Sequence, residues 1–218
     1  MSIEAAVLAL TELASAGSAR DSLLAMHRAS NLLGEDVKTY RPLLECLARQ
    51  SCELDQLRRL AGRDALTGVA NRRCFQESLE REQARAERQG ECFALVLLDL
   101  DGLKAINDTH GHAAGDTVIV AVAEACTASV RSSDVVARLG GDEFAIIMVG
   151  ANGEGARASG ERIRAAIEAV ETPFGRPRIS VGVAASDEIR AGEDSLFERA
   201  DRELYRDKAG RKAEAQVA

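Results

Sequence analysis

The chain has 218 residues, a net charge of −7 and an apolar fraction of 46%. That is enough for one sizeable domain plus a smaller element, and the apolar content excludes wholesale disorder. The acidic balance, 3% aromatic residues and absence of Trp exclude a surface that tracks phosphates and stacks bases, so no nucleic-acid partner is expected.

Residues 1–61 read as an all-helical region. Ile3, Val7, Leu10 and Ala14 share one helical face, and Ser18 or Ser22 starts a second helix ending near Gly34. Pro42 suits the first turn of a third helix, in which Tyr40, Leu47, Leu54 and Ala61 recur every seven residues, with Leu43, Gln50 and Leu57 offset by three. This a/d seam of about three heptads either pairs with a second copy or packs on the two preceding helices.

The texture changes near residue 62. Asn71 caps a helix carrying Phe75, Leu79 and Ala86, which ends near Gly90. Phe93 to Leu98 is a continuous apolar run, as a central strand covered on both faces requires, and Asp99 follows it directly. A helix over Ala114–Val130, strands over Val135–Leu139 and Phe144–Val149, a helix over Gly155–Val170, a strand over Ile179–Ala184 and a helix over Asp194–Lys208 follow, and residues 213–218 read as a disordered tail. The order α-β-α-β-β-α-β-α predicts a ferredoxin-like α/β sandwich.

Cys46, Cys52, Cys74, Cys92 and Cys126 are odd in number and lack zinc spacing, which indicates reduced thiols in a cytoplasmic protein. The first residues carry Glu4 and Glu12 and no basic leader, and no run approaches the ~20 apolar residues of a membrane helix. No membrane association is expected.

Chemistry concentrates at Arg138-Leu-Gly-Gly-Asp-Glu-Phe144, where two glycines and two acids separate the middle strands. Glycine admits close backbone approach, and adjacent carboxylates tolerate each other best around a cation. If neighbouring strands bring Asp99 beside Asp142 and Glu143, three acids converge in a set suited to magnesium or manganese bridging a phosphate. Asp101 would share the face of Asp99 if the strand continued, but Gly102 argues for a turn there.

Between residues 99 and 116, Lys104 stands at a helix start where free amides can meet a phosphate. Asn107, His112 and Asp116 supply groups that can read a purine edge, and a carboxylate suits guanine, whose N1–H and exocyclic amine both donate.

These segments, with Asp64-Ala-Leu-Thr-Gly-Val-Ala-Asn-Arg-Arg73, Ser180-Val-Gly-Val-Ala184 and Ala200-Asp-Arg-Glu-Leu-Tyr-Arg-Asp-Lys208, resemble the GGDEF-domain diguanylate cyclases over about residues 62–212. The resemblance implies a palm or nucleotidyl-cyclase-like fold with a mostly antiparallel sheet. It also implies that a homodimer condenses two GTP into cyclic di-GMP, releasing two pyrophosphates, with two divalent ions, Mg2+ or Mn2+, per site. Asp99, the Leu100 carbonyl and Asp142 would hold the metals, with Glu143 in the same cluster. Asp142 or Glu143 would assist deprotonation of the attacking ribose 3′-OH. Lys104 and the amides around Gly102 and Leu103 would bind triphosphate, while Asn107, His112 and Asp116 hold base and sugar and Gly140 and Gly141 leave room for the nucleotide. Two facing domains are then needed, and the N-terminal helices would bring them together.

The resemblance further implies that Arg131 and Asp134, an RxxD pair, bind product and inhibit the enzyme, with Arg162 assisting. Relatives place two residues between the final Lys and a Gly-Arg pair. Here Lys208-Ala-Gly-Arg211 has one, which leaves open whether Arg211 or Lys212 supplies a second cation. A non-catalytic receptor for GTP or cyclic di-GMP is the competing reading. Its degenerate members lose the acidic turn or the first Asp, whereas Asp99, Asp142 and Glu143 are all retained here.

Overall fold

A computed structural model describes residues 61–189 and 195–217, together with the helical positions 42, 45, 46, 49, 50 and 53. The N-terminal helical faces and most of the heptad seam, including Tyr40, Leu43, Leu47, Leu54 and Leu57, lie outside the described residues. The chain divides into two compact units after Gly62.

In the second unit the elements run β1 (Ala70–Asn71), α1 (Arg72–Gln89), β2 (Phe93–Asp101), α2 (Leu103–His110), α3 (His112–Ala128), β3 (Val135–Gly140), β4 (Glu143–Val149), α4 (Gly153–Glu168), β5 (Arg178–Ala185) and α5 (Leu196–Val217). The sheet order is β1-β3-β4-β2-β5, with β1 parallel to β3 and every other pair antiparallel. This is the predicted ferredoxin-like sandwich, with β1 as an added edge strand.

Side-chain alternation along β2 sorts the core into two layers. Ala94, Val96 and Leu98 join Ile146, Val118, Val122, Ile163 and Ile167 beneath α3 and α4. Leu95 and Leu97 join Ala145, Ile147, Phe75, Ala200 and Leu204 beneath α1 and α5. Leu95, Leu98, Ile146 and Ile147 are fully buried, each contributing about 1.5–3 kcal/mol. Asn71 accepts from the Cys74 amide at 3.0 Å and Gly90 ends α1 in the left-handed region, as the sequence predicts.

Several differences bear on the site. β2 continues through Asp101, because Leu100 and Asp101 still pair with Ile179 and Arg178, so Asp99 and Asp101 do share a face and the expected turn begins only at Gly102. Residues 103–110 form the separate short helix α2, and the next helix starts at His112 instead of Ala114. The last described helix residues start at Leu196. That helix passes Lys208 and reaches Val217, so the stretch expected as a tail from residue 213 has helical backbone to Val217.

Candidate functional site

Where the apolar alternation of β2 gives way to acids, the α1/α5 face of the sheet becomes polar. Asp99 pairs in register with Glu143 on β4 and with Ser180 on β5, so these side chains share that face. Ser180 Oγ donates to both carboxylate oxygens of Asp101, at 3.0 and 3.1 Å. From α5, Lys208 Nζ lies 2.6 Å from Asp99 Oδ2. One turn further on, Arg211 Nε lies 3.4 Å from Asp101 Oδ2, and Arg211 Nη2 contacts Glu168.

Asp99 is only 7% exposed. Burial pushes its carboxyl above the usual carboxylate range and the nearby charges of Asp142 and Asp101 push the same way, while the Lys208 ammonium opposes them. A buried acid in this state gains from any cation placed beside it, and Lys208 already fills that role here.

The acidic turn is pinned from two directions. The Leu100 amide donates to the Asp142 carbonyl at 3.0 Å, tying the turn to β2. Arg138 donates through Nε and Nη2 to the Gly141 carbonyl at 3.1 and 2.8 Å, and through Nη1 to Asp64 Oδ1 at 3.2 Å. Asp64 also accepts from the Thr67 amide and hydroxyl at 3.0 and 2.7 Å. Partial burial alone would raise the Asp64 carboxyl, but the Thr67 bonds and Arg138 outweigh it and hold it below the ordinary range. Gly141 has φ of 47°, a left-handed conformation that a side chain would strain.

The guanidinium of Arg138 and the carboxylate of Asp64 are turn-positioning groups that the sequence reading did not single out. Both stand in the recognised segments, but their separation of 74 residues hides the contact.

Beyond Asp101, Gly102 has φ of 79° and precedes α2, so the amides of Leu103 and Lys104 lie in the helix's first turn. Lys104 is exposed there. The Asn107 side chain seats against Gly115, where an added Cβ would fall 2.0 Å from its Oδ1. That Oδ1 is buried and makes no hydrogen bond, so a polar acceptor sits at this corner without a protein partner. His112 and Asp116 are exposed and lie one turn apart on α3 beside Gly115. His110, by contrast, packs its ring on Phe174 at 5.3 Å.

Arg131, Asp134 and Arg162 line one pocket of about 350 Å³, which also includes Cys92, Val149 and Asn152. It lies at the Val149 end of β4, about 20 Å from the acidic turn by strand rise. Asp134 is locally engaged, accepting from the Arg131 amide at 3.0 Å and the Val149 amide at 3.2 Å. The Arg162 guanidinium donates to the Ser129 carbonyl at 3.3 Å.

Among the described residues, no group of three or more His, Cys, Asp or Glu side chains forms a metal cage by itself. The donor set nevertheless fits magnesium, which binds through one or two carboxylates and takes further oxygens from phosphate and water. Among the described residues no helix is long and apolar enough to cross a membrane.

Residues 61–214 match the family described as diguanylate cyclase, GGDEF domain. Diguanylate cyclase DgcP of Pseudomonas aeruginosa is 38% identical over 200 residues, covering 90% of this chain and 28% of that protein. Diguanylate cyclase DgcS of Shewanella oneidensis is 36% identical over 170 residues, covering 78% of this chain and 55% of its own length. The chain thus spans only about a quarter to a half of these two relatives.

Among solved structures, the coiled coil and GGDEF domain of DgcB from Caulobacter crescentus, in complex with c-di-GMP, superposes with a TM-score of 0.68 at 33% identity, covering 80% of this chain and 94% of that one. Diguanylate cyclase SiaD of P. aeruginosa, in complex with its activator SiaC, superposes with a TM-score of 0.64 at 33% identity, covering 88% and 78%.

Proposed function

The chain belongs to the GGDEF family of diguanylate cyclases, and we propose that, as a homodimer, it condenses two GTP molecules into cyclic di-GMP with release of two pyrophosphates. The observation that carries this reading is the register of Asp99 with Glu143, which places a buried acid beside the pinned Asp142 turn at one end of the sheet. Two magnesium or manganese ions, held by Asp99, the Leu100 carbonyl, Asp142 and Glu143, would supply charge neutralisation on the triphosphate.

The remaining roles follow from placement. Lys104 and the first amides of α2 hold phosphate oxygens, and Lys208 and Arg211 add positive charge from α5. Asp116 accepts from the guanine edge, Asn107 offers its amide to the base, His112 meets the sugar side, and Gly140 and Gly141 keep the turn clear of the nucleotide. Asp142 or Glu143 assists removal of the ribose 3′-OH proton as that oxygen attacks the α-phosphate held by the opposing domain. Positioning and charge neutralisation carry most of the acceleration. Each domain holds one nucleotide, so two domains must face each other, and residues 1–61 would bring them together. The test is stoichiometry: with GTP and Mg2+, two pyrophosphates should appear per cyclic dinucleotide, and any other ratio would contradict the reaction.

Two variants probe the assigned roles. Gly115→Ala drives a methyl group into Asn107 Oδ1, displacing the base-reading amide, and should raise the KM for GTP by about tenfold or more with a native circular-dichroism spectrum. An unchanged KM would remove Asn107 from base recognition. Arg131 and Arg162 form a phosphate-binding pair around Asp134, which accepts from a guanine edge, so the pocket serves product inhibition. Arg131→Ala should raise the plateau of cyclic di-GMP several-fold in progress curves, and unaltered product inhibition would refute that role.

A further inference from the structure

β5 is an edge strand of the sheet, yet its outward backbone groups are not bare. The Val181 amide donates to Asp207 Oδ2 at 2.8 Å, and Arg164 Nη1 donates to the Ile179 carbonyl at 3.2 Å. The same Arg164 Nη1 also pairs with Asp207 Oδ2 at 2.9 Å. One donor and one acceptor of the strand are therefore closed by an ion pair that joins α4 to α5 across the sheet edge.

A second pair of opposite polarity lies four residues further along both helices, where Glu168 of α4 meets Arg211 of α5. The spacing 164/168 matches the spacing 207/211, so both rungs lie on the facing sides of the two helices. All four side chains are at least two-thirds buried: Arg164 is 15%, Asp207 27%, Arg211 17% and Glu168 33% exposed. Pairs so placed resist solvent screening far better than surface pairs do.

We propose that these crossed rungs, Arg164–Asp207 and Glu168–Arg211, are a clamp that fixes the rotation of α5 and thereby sets Lys208 on Asp99 and Arg211 on Asp101. Lys208 is the next residue after Asp207. Anchoring Asp207 to the Val181 amide therefore determines where the ammonium group points. Arg164 and Glu168, which stand on a different helix from both cations, are positioning residues. They act on the nucleotide site through Lys208 and Arg211 without touching it. A 1 Å misplacement of a phosphate-binding cation is enough to weaken its contribution substantially. The role of the two cations in holding triphosphate rests on the cyclase reading; the clamp itself does not.

The experiment uses the full chain and the GTP analogue with a methylene bridge between its α- and β-phosphates, in Mg2+. Its equilibrium affinity is measured for wild type, Arg164→Met, Lys208→Met and the double variant, beside amide hydrogen exchange of Val181 and residues 203–212. Arg164→Met should weaken the analogue about tenfold in the wild-type background and less than about twofold in the Lys208→Met background, because the effect passes through Lys208. Asp207→Asn, which keeps an acceptor for the Val181 amide but loses the charge, should fall between wild type and Arg164→Met. Equal weakening by Arg164→Met in both backgrounds would show general loosening and overturn the positioning role.

Exchange of Val181 and residues 203–212 should accelerate about tenfold in Arg164→Met with or without ligand. Unchanged exchange would overturn the clamp. If wild type does not bind the analogue, the nucleotide reading fails and the exchange measurement still decides the clamp.

Discussion

Asp142→Asn is expected to lower kcat by at least about 10³-fold while leaving the thermal midpoint within a few degrees of wild type. The backbone at this position holds the turn, through the Leu100 amide on the Asp142 carbonyl and Arg138 on the Gly141 carbonyl, and the substitution leaves both intact. Only the carboxylate is lost. Its charge is among those that push Asp99 upward, so its removal should ease Asp99 and leave the fold no worse off. What disappears is half of the anionic pair that would hold a divalent ion against the triphosphate. Steady-state pyrophosphate release checks this. Wild-type turnover from the folded variant would remove Asp142 from the mechanism.

Gly182→Ala should cause the second large effect, through packing. α5 lies directly on the backbone of β5 at this residue. An added Cβ would sit 2.1 Å from the Ala200 carbonyl oxygen, 2.4 Å from the Leu204 nitrogen and 2.7 Å from Leu204 Cβ. These are main-chain and Cβ atoms that cannot rotate aside, so either the helix lifts from the sheet or the strand bends away. Overpacking of this kind costs about 1–3 kcal/mol or more. The displacement would also carry Lys208, one turn beyond Leu204, away from Asp99. A fall in midpoint of several degrees, with a larger fall in GTP affinity than Asp207→Asn causes, is expected from thermal melts and binding assays. A native midpoint would show that the helix–sheet contact is looser than described.

The sequence made the acidic end of the sheet readable because its signals are local. A fully apolar run ending in Asp99, and a Gly-Gly-Asp-Glu turn between two strands, leave few topologies in which the acids do not meet. At Asp101 the local signal misleads, because Gly102 strongly favours a turn. The pairing of Leu100 and Asp101 with β5 is a long-range fact that overrides it by one residue. A helix start is legible at Lys104 but the extent of α2 is not, because its eight residues, between Gly102 and Gly111, are too few to show a period. Strand β1, two residues long, shows even less. The contacts that orient the site were hidden for a different reason: Arg138 with Asp64, and Arg164 with Asp207, are joined only once the sheet has formed.

The acidic turn acquires its meaning from what is held near it. Asp99 has Lys208 as its counter-ion, Asp101 is bonded by Ser180 with Arg211 beside it, and Asn107 presents an acceptor without a protein partner beside the start of α3. The described residues thus present buried negative charge, two cations on α5 and a polar acceptor at Asn107.

The proposed synthesis of cyclic di-GMP depends on the acidic turn. The most direct test is to strip co-purified nucleotide from the full chain, incubate it with GTP and Mg2+, and resolve the products by chromatography beside Asp142→Asn. Cyclic di-GMP is expected from wild type and none from the variant. No cyclic dinucleotide from stripped, folded wild type, or equal amounts from both proteins, would contradict it.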